Sequence, residues 1–421
     1  MTPDSRVQQR TVRTLMTSQV FGGIGLSAGV AVGALLAEDV SGSAKYAGLG
    51  STFQVLGSAL IAVPMARVMA AKGRRPGLLL GYVLAVVGAL GLITSGVVGS
   101  FTLLLISSLL FGGATAANSQ ARYAAADLAV PARRARDLAF VVWATTVGSV
   151  LGPNLVGPSE PVADALGIPR LTGPFAFSLL GLLVAIAVLA LRLRPDPLLE
   201  ARRLDAVAAG PGSVAAKAHG SVVRGLKVIA ARPLARLALL TLALGHGVMV
   251  SVMVMTPLHM RHGHAELTVI GLVISIHIAG MFAFSPLTGM ATDRFGSRAV
   301  AIAGSMILSA ATLLASTSPT GSSWTLTAGL FLLGLGWSCT LVSGSSLLTA
   351  AVPVPERPGV QGASDLVMGL AAGAGGAIAG VIVDLASFHV LSLVSLAFAL
   401  AIGVGAALTK EPADDLVSLH G

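Results

Sequence analysis

AKGRRPGLLLG at residues 71–81 and TDRFGSRAVAIAG at residues 292–304 are the two stretches on which the fold turns. Each is a polar, basic, glycine-bearing loop that opens into a long apolar run, and Gly73 of the first answers to Gly296 of the second. A second pair repeats the relation. AVPARRARD at 129–137 and AVPVPERPG at 351–359 set Ala129 against Ala351, at the same offset to within a single position. Two unrelated loops at nearly one offset indicate a duplicated unit, and duplicated halves that rock about a midplane site are a common plan of membrane carriers.

The sequence between these loops is apolar throughout. Of 421 residues, 54% are hydrophobic and 11% charged, against about 25% charged in a soluble chain. Apolar runs of about 20 residues match the thickness of a bilayer core, where the backbone must satisfy its own hydrogen bonds. The runs lack the alternation of a barrel strand. Twelve spans are expected at about 14–36, 46–70, 77–97, 102–126, 138–157, 173–193, 234–260, 267–290, 299–317, 323–350, 360–384 and 387–409. They divide into six-helix bundles at 1–193 and 233–421, joined by a polar linker at 194–232 with room for a surface helix. The first span follows a polar, Arg-bearing start, so it reads as a retained helix and not a cleaved signal.

The net charge of +9 is distributed as a topology signal. Arg6, Arg10, Arg13, Arg74, Arg75, Arg133, Arg134, Arg202, Lys217, Arg294, Arg298, Arg357 and Lys410 fall on one face of the twelve-span plan, against Lys45, Arg170 and Arg261 on the other. The positive-inside rule makes the basic face, and both termini, cytoplasmic, in a cytoplasmic (inner) membrane. Charges spread over many short loops are no nucleic-acid patch. Cys339 is the one cysteine, so no intrachain disulfide forms. The chain contains no phosphate-loop GKS/T ending and no hydrolase triad pattern, and it reads as a carrier and not an enzyme.

The segment GMATDRFGSR at 289–298 resembles the loop signature of the major facilitator superfamily, at the expected place between spans eight and nine. The resemblance covers essentially the whole chain. It implies an all-α major facilitator fold with two pseudo-symmetric halves. It also implies a gate latch at Gly289, Asp293, Arg294, Gly296 and Arg298, with the acid at a helix N-terminus and near basic groups. In the first half Gly73, Arg74 and Arg75 fit, but Ala66 and Ala70 stand where the signature has Gly and Asp. Span five carries Gly148, Gly152, Pro153 and Gly157, partly resembling the pattern of drug–proton antiporters; small residues at this spacing also serve close packing. Gly369, Gly373, Gly376 and Gly380 have the same quality. Span one has no acid, and Ser108 stands near where antiporters of the superfamily place a basic residue, which weighs against cationic-drug export.

Spans seven and eight hold the densest chemistry. Six of the twelve methionines lie in 249–290, with His246, His259, His262, His264 and His277 in or beside the same stretch. Met249/Met253 and His277/Met281 are each four apart, so each pair shares a helix face. Helical rise puts both at similar depth, near mid-membrane. Thioether and imidazole together suit a soft ion, above all Cu(I). The motifs resemble those of the CcoA-like copper importers, which carry MxxxM in span seven and HxxxM in span eight. That resemblance implies Cu(I) as a transported substrate held by Met249, Met253, His277 and Met281, with His246 a further candidate. The wider group is similar to carriers of organic molecules such as riboflavin. Two other readings stay open: the methionines form a pliant wall for an apolar ligand, or His277 carries a proton. Asp365, two turns into span eleven, is a proton site or the partner of a basic gate group. Asn118, Gln120, Arg122 and Asp127 give span four a polar end, with Arg122 expected to snorkel to the interface or to pair with an acid such as Asp127 or Asp137.

The expectation is therefore a secondary transporter working by alternating access as a monomer in lipid, without a permanent cofactor. Its cargo is copper or an apolar organic compound moved with protons. A third reading is a receptor that keeps the fold and moves nothing.

Overall fold

The computed structural model describes residues 5–43, 46, 48–208 and 220–409; Lys45, Lys217 and Lys410 lie outside the described residues. Among the described residues the chain is helical, with no strand. The helices are α1 (Ser5–Ser41), α2 (Leu49–Lys72), α3 (Arg74–Val98), α4 (Phe101–Ala126), α5 (Arg134–Asn154), α6 (Val156–Leu166), α7 (Gly173–Arg192), α8 (Pro197–Ala208), α9 (Val222–Ala231), α10 (Pro233–His262), α11 (Leu267–Phe282), α12 (Ser285–Phe295), α13 (Ser297–Ser316), α14 (Trp324–Ala350), α15 (Arg357–Leu385) and α16 (Phe388–Leu408). Among the described residues eleven stretches are long and apolar enough to cross a membrane, and the bent pair α5–α6 makes a twelfth. The chain is an all-helical polytopic membrane protein.

Local chemistry sets the ends. Ser100, Ser323 and Ser387 cap α4, α14 and α16, each accepting from the backbone N–H three residues on. Proline opens α7, α10 and α12, where its missing N–H costs nothing. Gly73 (φ 94°) and Gly296 (φ 88°) make the sharp turns into α3 and α13, at a backbone angle that side chains rarely adopt.

Spans one, five and eight differ most from their expected bounds, and the first, expected at 14–36, lies in a helix that runs Ser5–Ser41. Span five does not stop near 157: it bends by 59° and continues as α6 to Leu166. Pro153 lies in the last turn before the bend, where its ring clashes with the preceding turn. Span eight is broken between Phe282 and Ser285 and runs on to Phe295. Pro286 cannot donate to the carbonyl one turn back, which explains the break. The linker holds two helices, α8 and α9, on either side of the undescribed 209–219.

Contacts sort the chain into two compact units. One comprises Met1–Leu128, Ala144–Gly225 and Val354–Gly369; the other comprises Ala129–Trp143, Leu226–Pro353 and Leu370–Gly421. Each unit thus takes in a short segment from the opposite half of the sequence. In the first unit α4 packs on α3, α2 and α1, and α7 packs on α1 and α3. In the second α14 packs on α13, α11 and α10, and α16 packs on α10 and α13. Shifted by six spans, the pairings are the same.

The repeat extends to single glycines. A Cβ at Gly57 would strike Leu109 O, and one at Gly112 would strike Gln54 O, where α2 crosses α4. Gly280 faces Phe331 O and Gly334 faces His277 O in the same way, where α11 crosses α14. Gly57 stands to Gly280 as Gly73 does to Gly296, and Gly112 stands to Gly334 as Ala129 does to Ala351, so the loop offsets recur at the crossings. Helices in lipid gain no hydrophobic drive from meeting each other, so close backbone approach at small residues carries the packing.

Candidate functional site

The second unit has a polar aromatic cluster at mid-span. His246 in α10, Trp337 in α14 and Phe282 in the span Val269–Phe295 are each the fourteenth residue of spans 30, 27 and 27 residues long. Trp337 Nε1–H donates to His246 Nδ1 at 2.8 Å. That bond fixes the neutral imidazole with its proton on Nε2. The two rings are 5.9 Å apart, and Phe282 meets Trp337 edge-on at 5.6 Å. Trp337 is almost fully covered, whereas His246 and Phe282 are half-buried. Phe282 ends α11 at the break in span eight.

His277 and Met281 lie on the turn before that break. His277 is buried, and its Nδ1–H donates to Leu330 O at 2.8 Å. Its Nε2 is buried with no hydrogen-bond partner among the described residues. Met249 is buried in α10, while Met253 and Met281 are half-buried. The two methionine motifs sit on helices that both pack against α14. Among the described residues no group of three or more His, Cys, Asp or Glu is placed to hold a metal ion. His259 is occupied by Pro319 O, Ser318 Oγ and a stacked Phe388 ring at 4.2 Å, while His262 and His264 are exposed.

The first unit buries a charge network at the basic end. Arg74, fully buried, grips Asp127 with Nε and Nη2 at 2.7 and 3.1 Å. Its Nη1 reaches Gln120 Oε1 at 3.3 Å, and its Nη2 reaches Gln361 Oε1 at 2.5 Å. Arg357 approaches Asp127 at 3.7 Å. Asp365 accepts from Arg122 Nη2 and Gln120 Nε2, both at 2.7 Å. Arg122 pairs with Asp365, while Asp127 is held in a bidentate pair by Arg74. Asp365 has its basic partner in Arg122. The network ties the segment Val354–Gly369 to α3 and α4. Arg74, Arg357 and Gln361 are the members that sequence reading misses, since the loop positions of the two arginines suggest solvated charges.

The second unit has a lighter clasp. Asp293 accepts from the backbone N–H groups of Ala135 and Arg136, both at 2.9 Å, at the N-terminus of α5. An acid there is favoured by the helix dipole. Gly289 lies one turn before, and a Cβ on it would stand 2.6 Å from that of Ala139. Arg298 donates to Ala406 O at 3.1 and 2.9 Å, and exposed Arg294 lies over the Phe295 ring.

The imperfect first-half signature has a structural counterpart. Ala66 stands at the position of Gly289, and Gly362 stands at that of Ala139, both at the offset that relates Gly73 to Gly296. A Cβ on Gly362 would lie 2.7 Å from that of Ala66. The crossing keeps one glycine and one alanine but exchanges their sides, so Ala66 costs the contact nothing. The missing acid at Ala70 is matched by Asp127, which faces Arg357 of the segment Val354–Gly369, and by Asp365 of that segment, which accepts from Arg122. In addition, Asp196 accepts from the N–H groups of Arg74 and Arg75 at 3.0 and 2.7 Å, a role no motif announces. Gly362→Ala should destabilise by about 1–3 kcal/mol through overpacking. The double variant Ala66→Gly/Gly362→Ala should regain most of that in the unfolding midpoint. A double variant no better than the single would refute the exchange.

The span-five glycines divide. Gly148 touches Gly23, and Gly152 touches Ser27 and Ala28, so both are packing positions; among the described residues Gly157 has open space around it. Pro153 precedes the bend. Gly369 meets Ala59, Gly376 meets Val250 at ordinary distance, and Gly373 and Gly380 face space open among the described residues.

Comparison with known proteins agrees with this architecture. The family model described as Major Facilitator Superfamily matches residues 15–269 and 248–418. YdeG of Bacillus subtilis (strain 168), an MFS-type transporter, is 40% identical over 389 residues, covering 92% of this chain and 88% of its own. The riboflavin transporter RfnT of Brucella anthropi is 26% identical over 375 residues, covering 87% of each. The human organic anion transporter MFSD10 shares the fold, with a TM-score of 0.72 at 18% identity over 95% of this chain and 99% of that one. With both halves matched by one family model and YdeG aligned along nearly its whole length, this chain belongs to the major facilitator superfamily and is an MFS-type transporter.

Proposed function

We propose that the chain is a secondary active transporter of a flat, aromatic organic solute, working by alternating access in the cytoplasmic membrane with both termini cytoplasmic. Its functional halves are 1–193 and 233–421, joined by the linker 194–232. The observation that carries this reading is the His246–Trp337–Phe282 cluster at mid-span, beside the break in span eight. Discontinuous helices at the midplane are where carriers of this kind build their sites. Aromatic faces bind flat rings, and an oriented imidazole supplies a hydrogen bond. The duplication sharpens the point. At the repeat offsets Phe282 corresponds to Ala59 and Trp337 to Thr115, so these rings are particular to the second half and are not demanded by the fold. A relative that carries riboflavin supports a cargo of this class. Transport would require the Asp293 clasp and the Asp127 and Asp365 contacts to release and re-form.

Cu(I) uptake is the second reading, favoured by one observation: among the described residues nothing bonds the Nε2 of buried His277, one turn from Met281. Imidazole and thioether suit that ion as cargo.

One experiment tests both. Cells lacking their own riboflavin and copper importers express the parent, Trp337→Ala or the Met249→Ala/His277→Ala pair at matched membrane levels. Labelled riboflavin and labelled copper are then supplied. Riboflavin uptake by the parent that is lost with Trp337→Ala, with no copper uptake, is the expected result. Copper uptake abolished by the Met249 and His277 changes would establish the metal reading. A well-expressed parent that moves neither would sink both.

A further inference from the structure

A cavity of about 260 Å³ in the first unit is lined by Arg6, Gln9, Arg10, Arg13 and Arg192. Arg6, Arg10 and Arg13 recur at steps of four and three, so they share one face of α1. Arg192 ends α7, which packs along α1. Arg10, Arg13 and Arg192 thus bring exposed guanidinium groups together from two helices. Like charges gathered this way repel one another, and an anion seated among them relieves the repulsion.

The placement defines the anion. The cavity sits where the polar start of α1 gives way to its apolar run and where α7 leaves its own. That is headgroup level. On the same two helices, Leu191 is 71% exposed and Phe21 is 36% exposed. Guanidinium forks match phosphate oxygens in pairs, and the apolar surface matches acyl chain. We infer that this cavity is a binding site for a phosphate-bearing anion, supplied by the headgroup of an anionic phospholipid. A headgroup with two phosphates, such as that of cardiolipin, matches the converging charges best. The site shares no residue with the mid-span cluster and does not depend on the cargo.

The test uses the full chain in nanodiscs of phosphatidylcholine doped with cardiolipin, with retained lipid read by native mass spectrometry. Each neutralised arginine near a charged surface is expected to lower retention about fivefold, so Arg10→Gln/Arg13→Gln should lower it about thirtyfold. Arg133→Gln/Lys227→Gln, which neutralises two exposed basic residues of the other unit, should leave it unchanged. Inorganic pyrophosphate is added in a parallel arm. Failure to displace the lipid assigns the source to the bilayer. Displacement at micromolar pyrophosphate keeps the phosphate site and moves its source to solution. Equal retention by the parent and Arg10→Gln/Arg13→Gln, both monodisperse, overturns the proposal.

Discussion

Asp127→Ala is expected to be the most damaging single substitution outside the mid-span cluster, lowering stability by about 3–5 kcal/mol, the usual cost of breaking a buried pair. Asp127 is the carboxylate for two buried guanidiniums. Arg74 holds it bidentately, and Arg357 approaches at 3.7 Å. Removing it takes from Arg74 its bonded carboxylate and leaves Arg357 with only the weaker pull of Asp205. Arg74→Met should cost less, because Asp127 then keeps Arg357. The expected order is Asp127→Ala below Arg74→Met below parent in the apparent unfolding midpoint of purified protein in detergent. Arg74→Met/Asp127→Leu should recover only part of the loss, since Arg357 keeps only the weaker pull of Asp205. If Asp127→Ala unfolded no earlier than the parent, the network would be decoration. Transport should fall with stability here, because the same contacts hold Val354–Gly369.

Trp337 supplies the second large effect, and it separates chemistry from volume. Trp337→Ala empties a covered site, costing about 3–5 kcal/mol, and should abolish uptake. Trp337→Phe is more informative. It keeps most of the ring but removes the N–H that His246 Nδ1 accepts. An acceptor left unmatched costs about 1–3 kcal/mol, so uptake should drop about tenfold or more. His246→Ala should drop it similarly. The double variant should be no worse than either single, since residues in one hydrogen bond are not additive. Independent, multiplying losses would show that the pair does not act as a unit.

Much of this is legible without coordinates. The offsets read from the loops reappear as Gly57/Gly280 and Gly112/Gly334 at the two helix crossings. Asp365 reads as a proton site or as the partner of a basic gate group, and the fold sets Arg122 against it. The prolines mark where spans begin better than where they bend, because a proline's effect depends on what its neighbours pack against. The methionine–histidine stretch is visible as composition. Depth along a helix can be reckoned from rise per residue, but which helix lies beside which cannot. Here α14 packs against both α10 and α11.

Local spacing and solvent are enough to account for the twelve apolar stretches, their division into repeated halves, and the two signature loops. Those follow from the length of a helix that crosses a bilayer and from the unbroken echo of a duplication. Partnership over long separations belongs to the fold instead. Arg74 meets Gln361 across 287 residues, Trp337 meets His246 across 91, and Gly362 stands opposite Ala66. A buried charge or a glycine carries no mark of its partner in one dimension. Its meaning is set by which atoms close packing leaves within about 3 Å of it, and that is a property of the folded chain alone.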